Sequence, residues 1–267
     1  MELLEHLAMR VAEVLGNRPA GLASDFDGTL ARIVPLPSQA TIEPAMRKTL
    51  ARLARSLELI AIVSGRSVDD VRSRVGLDAL VYIGSHGLER WEKGVYQTDP
   101  AALAYVPILE QLAPVLNEQL RMPGLQIERK QFSLAVHYRR AVDREAAAAA
   151  IAEALAEIAH QHGLRVMAGR SVYELLLPLD RDKGTALVDL VLDRGLRAVV
   201  FLGDDRTDLD AMLALAALRR RTGVKTLSVG VLSQEAPPEL SEVADVVVEG
   251  VDGAVALLDR VCHLLRC

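Results

Sequence analysis

Gly21-Leu22-Ala23-Ser24-Asp25-Phe26-Asp27-Gly28-Thr29-Leu30 sets two carboxylates in a tight turn directly after a short apolar strand. Gly28 follows the second acid, where a sharp backbone turn costs least. One carboxylate of such a pair can attack an electrophile while its neighbour handles the proton of a leaving group. Two negative charges this close repel, so the pair calls for a cation between or beside them. An isolated Asp-x-Asp also fits a Ca²⁺ loop, a helix cap or a solvated turn, and the rest of the chain must choose.

Working outward, short apolar runs ending in Gly or polar residues recur at 21–25, 59–63, 80–83, 198–202, 226–231 and 245–248. Amphipathic stretches such as 43–57, 183–194 and 207–219 lie between them. Near-continuous Val/Ile/Leu strands alternating with helices predict an α/β fold, a doubly wound parallel sheet covered on both faces. Residues 103–178 break the rhythm. A helical stretch (103–121) leads to an extended run (125–138), an Ala-rich helix (144–160) and a second extended run (164–177). The pattern predicts a smaller α+β domain at 103–178, inserted into a core made of residues 1–102 and 179–267. Pro35 and Pro37 mark an extended loop after the first motif, and Pro178 marks the return to the core.

The 267 residues, 51% of them apolar, suffice for such a core, built mainly from Leu, Val, Ile and Ala because aromatics are only 3%. A net charge of −5 argues against nucleic acid or an anionic membrane as a partner, so any phosphate pocket must be locally positive in a negative protein. Cys262 and Cys267 read as incidental thiols near the C-terminal end, as in a reducing cytoplasm, rather than as a disulfide framework. No stretch is long and uncharged enough to span a membrane. Glu2, Glu5 and Arg10 interrupt any signal-peptide pattern in the first 15 residues. A cytoplasmic protein is the expectation, with a monomer favoured and the oligomeric state open.

Open α/β sheets bind ligands beyond the C-terminal ends of their strands. Besides Asp25 and Asp27, three polar signals fall there. Val63-Ser64-Gly65-Arg66 offers a hydroxyl and backbone N–H groups, with a helix from about Val68 aiming its N-terminus at the same point. Asp182-Lys183-Gly184-Thr185 opens a helix and supplies a compact positive charge. Gly203-Asp204-Asp205-Arg206-Thr207-Asp208 gathers three acids after a strand, where Asp204 can complete a metal site while Asp205 and Asp208 orient water ligands or Lys183. Taken singly, Ser64-Gly65 is also a helix N-cap, Lys183 a surface charge, and Asp204 and Asp205 a cap for the next helix. An acid pair, a hydroxyl, a lysine and an acid cluster at successive strand ends leave little room for coincidence.

These strings, in this order, resemble the haloacid dehalogenase superfamily, whose members transfer phosphoryl groups through an aspartyl-phosphate. The resemblance implies Asp25 as nucleophile, Asp27 as general acid/base, and Ser64, Gly65 and Lys183 as phosphate ligands. Arg66 is grouped with these, with contact to phosphate, a bridge to the insertion and pairing with an acid all open to it. Mg²⁺ is the implied cofactor, held by Asp25, the Asp27 carbonyl and Asp204, with Thr29, Asp205 and Asp208 just outside. Mg²⁺ prefers hard oxygen ligands and keeps several waters, so few carboxylates suffice. Lys183, Ser64 and the ion would neutralise a phosphoryl group that otherwise repels an anionic nucleophile.

The middle of the chain resembles the trehalose-6-phosphate phosphatase family in Tyr82-Ile83-Gly84-Ser85-His86-Gly87, in residues 128–139 (ERKQFSLAVHYR) and in Tyr173-Glu174-Leu175-Leu176-Leu177-Pro178. That likeness implies a cap closing over the sugar, with Glu128, Lys130 and Glu174 as disaccharide contacts and a small-molecule sugar phosphate as the partner. Glu128 and Lys130, two apart in a strand, would face one side. Glu174 stands in an otherwise apolar strand, where an unpaired carboxylate is costly. A Glu–Lys surface ladder is the plain alternative. His137 is expected to pack in the insertion, and His86 to shape its Gly-flanked turn. Leu176 stands near a position where the family commonly carries a basic residue. That leaves sucrose phosphate, glucosylglycerol phosphate or mannosylglycerate phosphate as rival substrates. A phosphosugar mutase and a non-catalytic sugar-phosphate sensor are more distant rivals to Mg²⁺-dependent hydrolysis of trehalose 6-phosphate.

Overall fold

The computed structural model describes residues 2–169 and 171–267. They form two compact units, the first running up to Gln97 and resuming over Arg181–Cys267, the second spanning Thr98–Asp180.

The first unit opens with helix α1 (Glu2–Leu15), β1 (Ala20–Ser24), α2 (Pro44–Ser56), β2 (Leu59–Val63), α3 (Val68–Val75), β3 (Val81–Gly84), β4 (Glu89–Glu92) and β5 (Val95–Thr98). The second holds α4 (Pro100–Leu103), α5 (Val106–Gln119), β6 (Gln126–Arg129), β7 (Ser133–His137), α6 (Arg144–His162), β8 (Arg165–Gly169) and β9 (Val172–Leu176). The first then resumes with α7 (Lys183–Asp193), β10 (Ala198–Gly203), α8 (Arg206–Thr222), β11 (Lys225–Leu232), α9 (Leu240–Val243), β12 (Val246–Glu249) and α10 (Gly250–Leu264).

Eight strands form one sheet in the order β12-β11-β10-β1-β2-β3-β4-β5. The pairs from β12 through β3 are parallel, and β3–β4 is antiparallel. Alternate residues of each central strand enter opposite cores. Leu22, Ile60, Ile62, Val200 and Leu202 pack with α1, α2, α3 and α10, through residues such as Val11, Leu50, Val71 and Leu258. Ala23, Leu59, Ala61, Val199 and Phe201 pack with α7, α8 and α9, through Leu187, Leu190, Leu215 and Leu240. This is the doubly wound sheet that the apolar runs predict, because strands buried on both faces need no polar alternation.

The antiparallel edge β4–β5 is an addition to that expectation. The sequence of β4, Glu89-Arg90-Trp91-Glu92, sets three charged residues around one aromatic and carries no apolar run. The edge is held instead by Trp91, buried under the Arg72 guanidinium at 4.1 Å from the ring centroid, and by Glu92 paired with Arg90 and Arg194.

The second unit has its own antiparallel sheet, β6-β7-β9-β8. Each of the two extended runs read from the sequence is in fact folded back into a hairpin. The first turns at residues 130–132, where the Lys130 N–H donates to the Ser133 carbonyl at 3.0 Å, and the second turns at Ser171 with φ 55°. Lys130 therefore lies in the turn beyond β6, not in the strand two places from Glu128. One sheet face buries Leu134, Val136 and Leu175 with Leu109, Leu116, Ile151 and Leu155 of α5 and α6 among the unit's buried residues. Register pairs Glu128 with Ala135 and Ala135 with Glu174, which puts both acids on the other face.

A second correction concerns the tail. Cys262 and Cys267 are joined as a disulfide, not left as separate thiols. The Cys267 N–H donates to the Cys262 carbonyl at 3.0 Å, folding the residues after α10 back on its last turn and bringing the sulfurs together. No helix among the described residues is long and apolar enough to cross a membrane.

Candidate active site

β10, β1 and β2 are neighbours in register, with Ser24 level with Leu202 on one side and Ile62 on the other. Asp25, Ser64 and Asp204 consequently leave the sheet at the same end. The Asp25 N–H continues the β1 ladder to the Leu202 carbonyl at 2.9 Å, which fixes the start of the turn. Gly28 follows at φ 87°, and a Cβ there would lie 2.1 Å from Asp204 Oδ2. Both the dihedral and the approach of the Asp204 carboxylate require glycine. Thr29 Oγ1 donates to Asp204 Oδ1 at 2.8 Å.

Lys183 stands at the first position of α7, behind a capping box in which the Asp182 side chain accepts from Thr185 N and Thr185 Oγ1 accepts from Asp182 N. α7 lies tight against α8, since a Cβ on Gly184 would meet the Asp210 carbonyl at 2.6 Å. That approach brings Lys183 Nζ to 2.7 Å from Asp25 Oδ1 and 2.8 Å from Asp208 Oδ1, with all three side chains buried. Asp208 Oδ2 accepts the backbone N–H groups of Asp204 and Asp205 at 2.9 and 3.0 Å. Asp205 in turn caps α8 by accepting from Thr207 N and Asp208 N. Asp208 is thereby a strut that holds Lys183 on one side and the Asp204-Asp205 turn on the other.

Carboxylate oxygens of Asp25, Asp204 and Asp208 come within 4.8 Å of one another. Burial pushes the Asp25 carboxyl well above the usual carboxylate range; Lys183 opposes this, while Asp208, Asp204 and Asp205 reinforce it. Burial likewise raises Asp208 to about 6. Burial alone would lower Lys183, but Asp208 and Asp25 hold its ammonium above the ordinary lysine value. Three clustered carboxylates against one ammonium leave excess negative charge, and the donors are all hard oxygens. The set therefore fits a small divalent cation such as Mg²⁺. Because both Asp208 oxygens are already engaged, Asp25 and Asp204 are the carboxylates suited to hold it.

Asp27 is clasped by Arg66, with Nε 2.5 Å from Oδ2 and Nη2 2.8 Å from Oδ1. Arg66 also donates to Asp70 Oδ2 at 2.6 Å and to the Pro37 carbonyl at 3.0 Å, and lies 5.6 Å from the Phe26 ring centroid. Of the three roles open to Arg66, the geometry shows the pairing with an acid. Asp70 and Arg74, joined through two nitrogens of Arg74, extend this chain and were not singled out in the sequence. The spacing of four from Arg66, just before α3, to Asp70 and Arg74 within it was the available signal. Ser64 is buried, and its Oγ accepts from Arg66 N at 3.2 Å. The His86 ring lies against Gly65, where a Cβ would sit 2.6 Å from Cε1.

On the polar face of the second unit, Glu174 Oε1 accepts from Lys130 Nζ at 2.7 Å and from Ser133 Oγ at 2.6 Å. Glu128 Oε2 lies 2.9 Å from His137 Nε2, and this hydrogen bond chiefly holds the Glu128 carboxyl below its usual value. The three residues expected to act together do share one cluster. Ser133 joins it unannounced, and His137, expected only to pack in the insertion, pairs with Glu128; their alternation with Ala135 along β7 is the pattern that could have placed them here.

One mostly parallel sheet between two helical layers, with a carboxylate turn after its first strand, is the architecture of haloacid dehalogenase-like proteins. Such a hydrolase from Bacteroides thetaiotaomicron matches with a TM-score of 0.64 at 16% identity, over 91% of this chain and 99% of that one. The C-terminal domain of the C. albicans trehalose-6-phosphate phosphatase matches with a TM-score of 0.81 at 21% identity, over 97% of both chains. Within that class, the family model described as Trehalose-phosphatase matches residues 23–242, and the chain belongs to this family. The trehalose-phosphate phosphatase of Mycobacterium bovis is 42% identical over 212 residues, which are 76% of this chain and 53% of that protein. The chain thus spans about half the length of the curated relatives it matches.

Proposed function

We propose that the protein is a Mg²⁺-dependent phosphatase that hydrolyses trehalose 6-phosphate to trehalose and inorganic phosphate, a step in trehalose formation. The observation that carries the reading is the buried Asp25–Lys183–Asp208 contact beside Asp204, in a chain of the trehalose-phosphatase family. Asp25 attacks phosphorus in line, the bond from phosphorus to the sugar oxygen breaks, and Asp27 gives that oxygen its proton. Asp27 then takes a proton from water as the water attacks the aspartyl-phosphate, which restores Asp25 and releases phosphate. Lys183 lies against the attacking carboxylate, and Ser64 with the loop N–H groups binds the phosphoryl oxygens. Asp25, Asp204 and the Asp27 carbonyl would hold Mg²⁺, which when bound supplies positive charge against those oxygens. Arg66 keeps the Asp27 carboxylate in place.

Glu128, Lys130 and Glu174 are the proposed contacts to the sugar, in the unit that confers selectivity. Leu176, two places from Glu174 on the same strand, favours one second reading, a sister phosphatase for another phosphorylated glycoside. Phosphate release from a panel of sugar phosphates, with and without chelator, separates the two. The expected result is chelator-sensitive release, fastest from trehalose 6-phosphate, and abolished by Asp25→Asn in a folded protein. Equal rates on glucose 6-phosphate and trehalose 6-phosphate would overturn the substrate. Isomerisation of a sugar phosphate without free phosphate would indicate a mutase, and binding without metal-dependent turnover a sensor.

A further inference from the structure

Glu89 is a carboxylate that the proposed chemistry does not use, yet it is 2% exposed. Its Oε2 accepts from the Val68 N–H at 3.0 Å and from Ser85 Oγ at 2.7 Å, and its Oε1 accepts from the Tyr96 hydroxyl. These donors come from three separate places: the first turn of α3, the turn after β3, and the edge strand β5. A buried carboxylate with several donors aimed at it is a fixed point, because removing the acceptor leaves each donor unsatisfied.

What it fixes is the segment opposite the Ser64-Gly65-Arg66 loop. Ser85 and His86 both sit in the left-handed region, at φ 49° and 55°. Two successive non-glycine residues there are unfavourable and persist only where the surroundings over-determine them. In this conformation the Ser85 N–H donates to the Arg66 carbonyl at 2.7 Å, and the His86 N–H donates to the Ser64 carbonyl at 3.2 Å. The turn therefore clasps the loop at both ends, while the His86 ring lies against Gly65 between them. Glu89 holds the turn through Ser85 Oγ and holds the start of α3, just beyond the loop, through Val68 N. The loop is thus gripped from two sides by groups that converge on one side chain.

We propose that Glu89 is the positioning residue of the phosphate-binding loop: it sets the Ser85–His86 turn and the start of α3, and through them the donors of Ser64, Gly65 and Arg66. This inference deepens the phosphatase reading and rests on it for the identity of the loop's ligand. Small errors in donor placement matter because the phosphoryl oxygens must be met at hydrogen-bond distance.

Glu89→Gln preserves shape and removes charge, and Tyr96→Phe removes one donor. Leu50→Ala, on the buried face of α2, provides a destabilised protein with an untouched turn. Three measurements are made on the full chain with Mg²⁺: turnover of trehalose 6-phosphate (kcat and KM), inhibition by inorganic phosphate, and hydrogen exchange at the Ser85 and His86 amides. Glu89→Gln is expected to weaken inhibition by phosphate about tenfold, lower kcat/KM by a similar factor and speed exchange at both amides. Tyr96→Phe is expected to move each in the same direction by less. Leu50→Ala is expected to lower Tm without weakening phosphate inhibition. Wild-type phosphate inhibition and wild-type exchange in Glu89→Gln would overturn the proposal, as would losses matched in Leu50→Ala. If the unaltered protein released no phosphate from any sugar phosphate, the phosphatase reading would fail separately. The exchange measurement would still decide whether Glu89 sets the turn.

Discussion

Arg66 meets Asp27 through two nitrogens and Asp70 through a third, while Arg74 holds Asp70 from the next turn of α3. The four side chains alternate in sign, so none of the charges is isolated as it leaves water. Burial pushes the Asp70 carboxyl up, but Arg74 and Arg66 outweigh it and hold the group below its ordinary 3.8. A carboxyl depressed in the folded state gives stability that is present above its unfolded value and lost as pH falls through the folded one. Asp70→Asn removes that contribution. At neutral pH the variant is expected to be less stable by about 1 kcal/mol, a figure discounted because Asp70 is about one-third exposed. The gap in Tm between wild type and variant should close as pH falls below about 4. A gap that stays constant down to acid pH would show that Asp70 acts through packing rather than charge. The same substitution loosens one anchor of Arg66, and kcat for phosphate release is expected to fall several-fold with KM little changed.

At the scale of elements, the site is assembled by helix starts as much as by strand ends. The first residue of α7 is Lys183, and the third residue of α8 is Asp208, so the two capping boxes set the distance between the ammonium and its strut. Asp182→Ala removes one box and is expected to cost about 1 kcal/mol. It should lower kcat as well as Tm, because the freed first turn carries Lys183. A lowered Tm with unchanged kcat would show that the Asp25 and Asp208 contacts hold Lys183 unaided. These features were legible in sequence because an apolar run meets a polar string at Ser64 (59–63) and before Asp204 (198–202), and because Asp182 stands at the opening of a helical pattern. The hairpins were not. Lys130-Gln131-Phe132 carries neither Gly nor Pro, so an extended pattern runs through the turn without a mark. The Gly-flanked turn at His86 was expected, but its conformation was not, since neither Ser85 nor His86 is a residue type that announces a left-handed backbone. Glu89 stayed out of view because its partners come from separate segments, and no local window contains the interactions that bury it.

At the scale of the whole molecule, the residues proposed for chemistry and those proposed for sugar recognition belong to different compact units. Asp25, Asp27, Ser64, Arg66, Lys183, Asp204 and Asp208 all lie in the first, and Glu128, Lys130 and Glu174 in the second. In the first unit, Lys183 meets Asp25 and Asp208. In the second, Glu174 pairs with Lys130 and Ser133. A substitution at Glu174 changes none of Asp25, Lys183, Asp204 and Asp208 themselves. Glu174→Gln keeps the side chain's shape while removing the charge that Lys130 meets. Groups built to bond sugar hydroxyls discriminate strongly when their partners change. With Mg²⁺ present, kcat/KM for trehalose 6-phosphate is expected to fall about 10- to 100-fold, while hydrolysis of p-nitrophenyl phosphate stays within about twofold. Lys130→Ala should give the same split, and the double variant should lose less than the product of the two single losses because the residues share one contact. A parallel loss on both substrates would show that the cluster serves the fold of its unit, and would remove Glu174 from the sugar-recognising set.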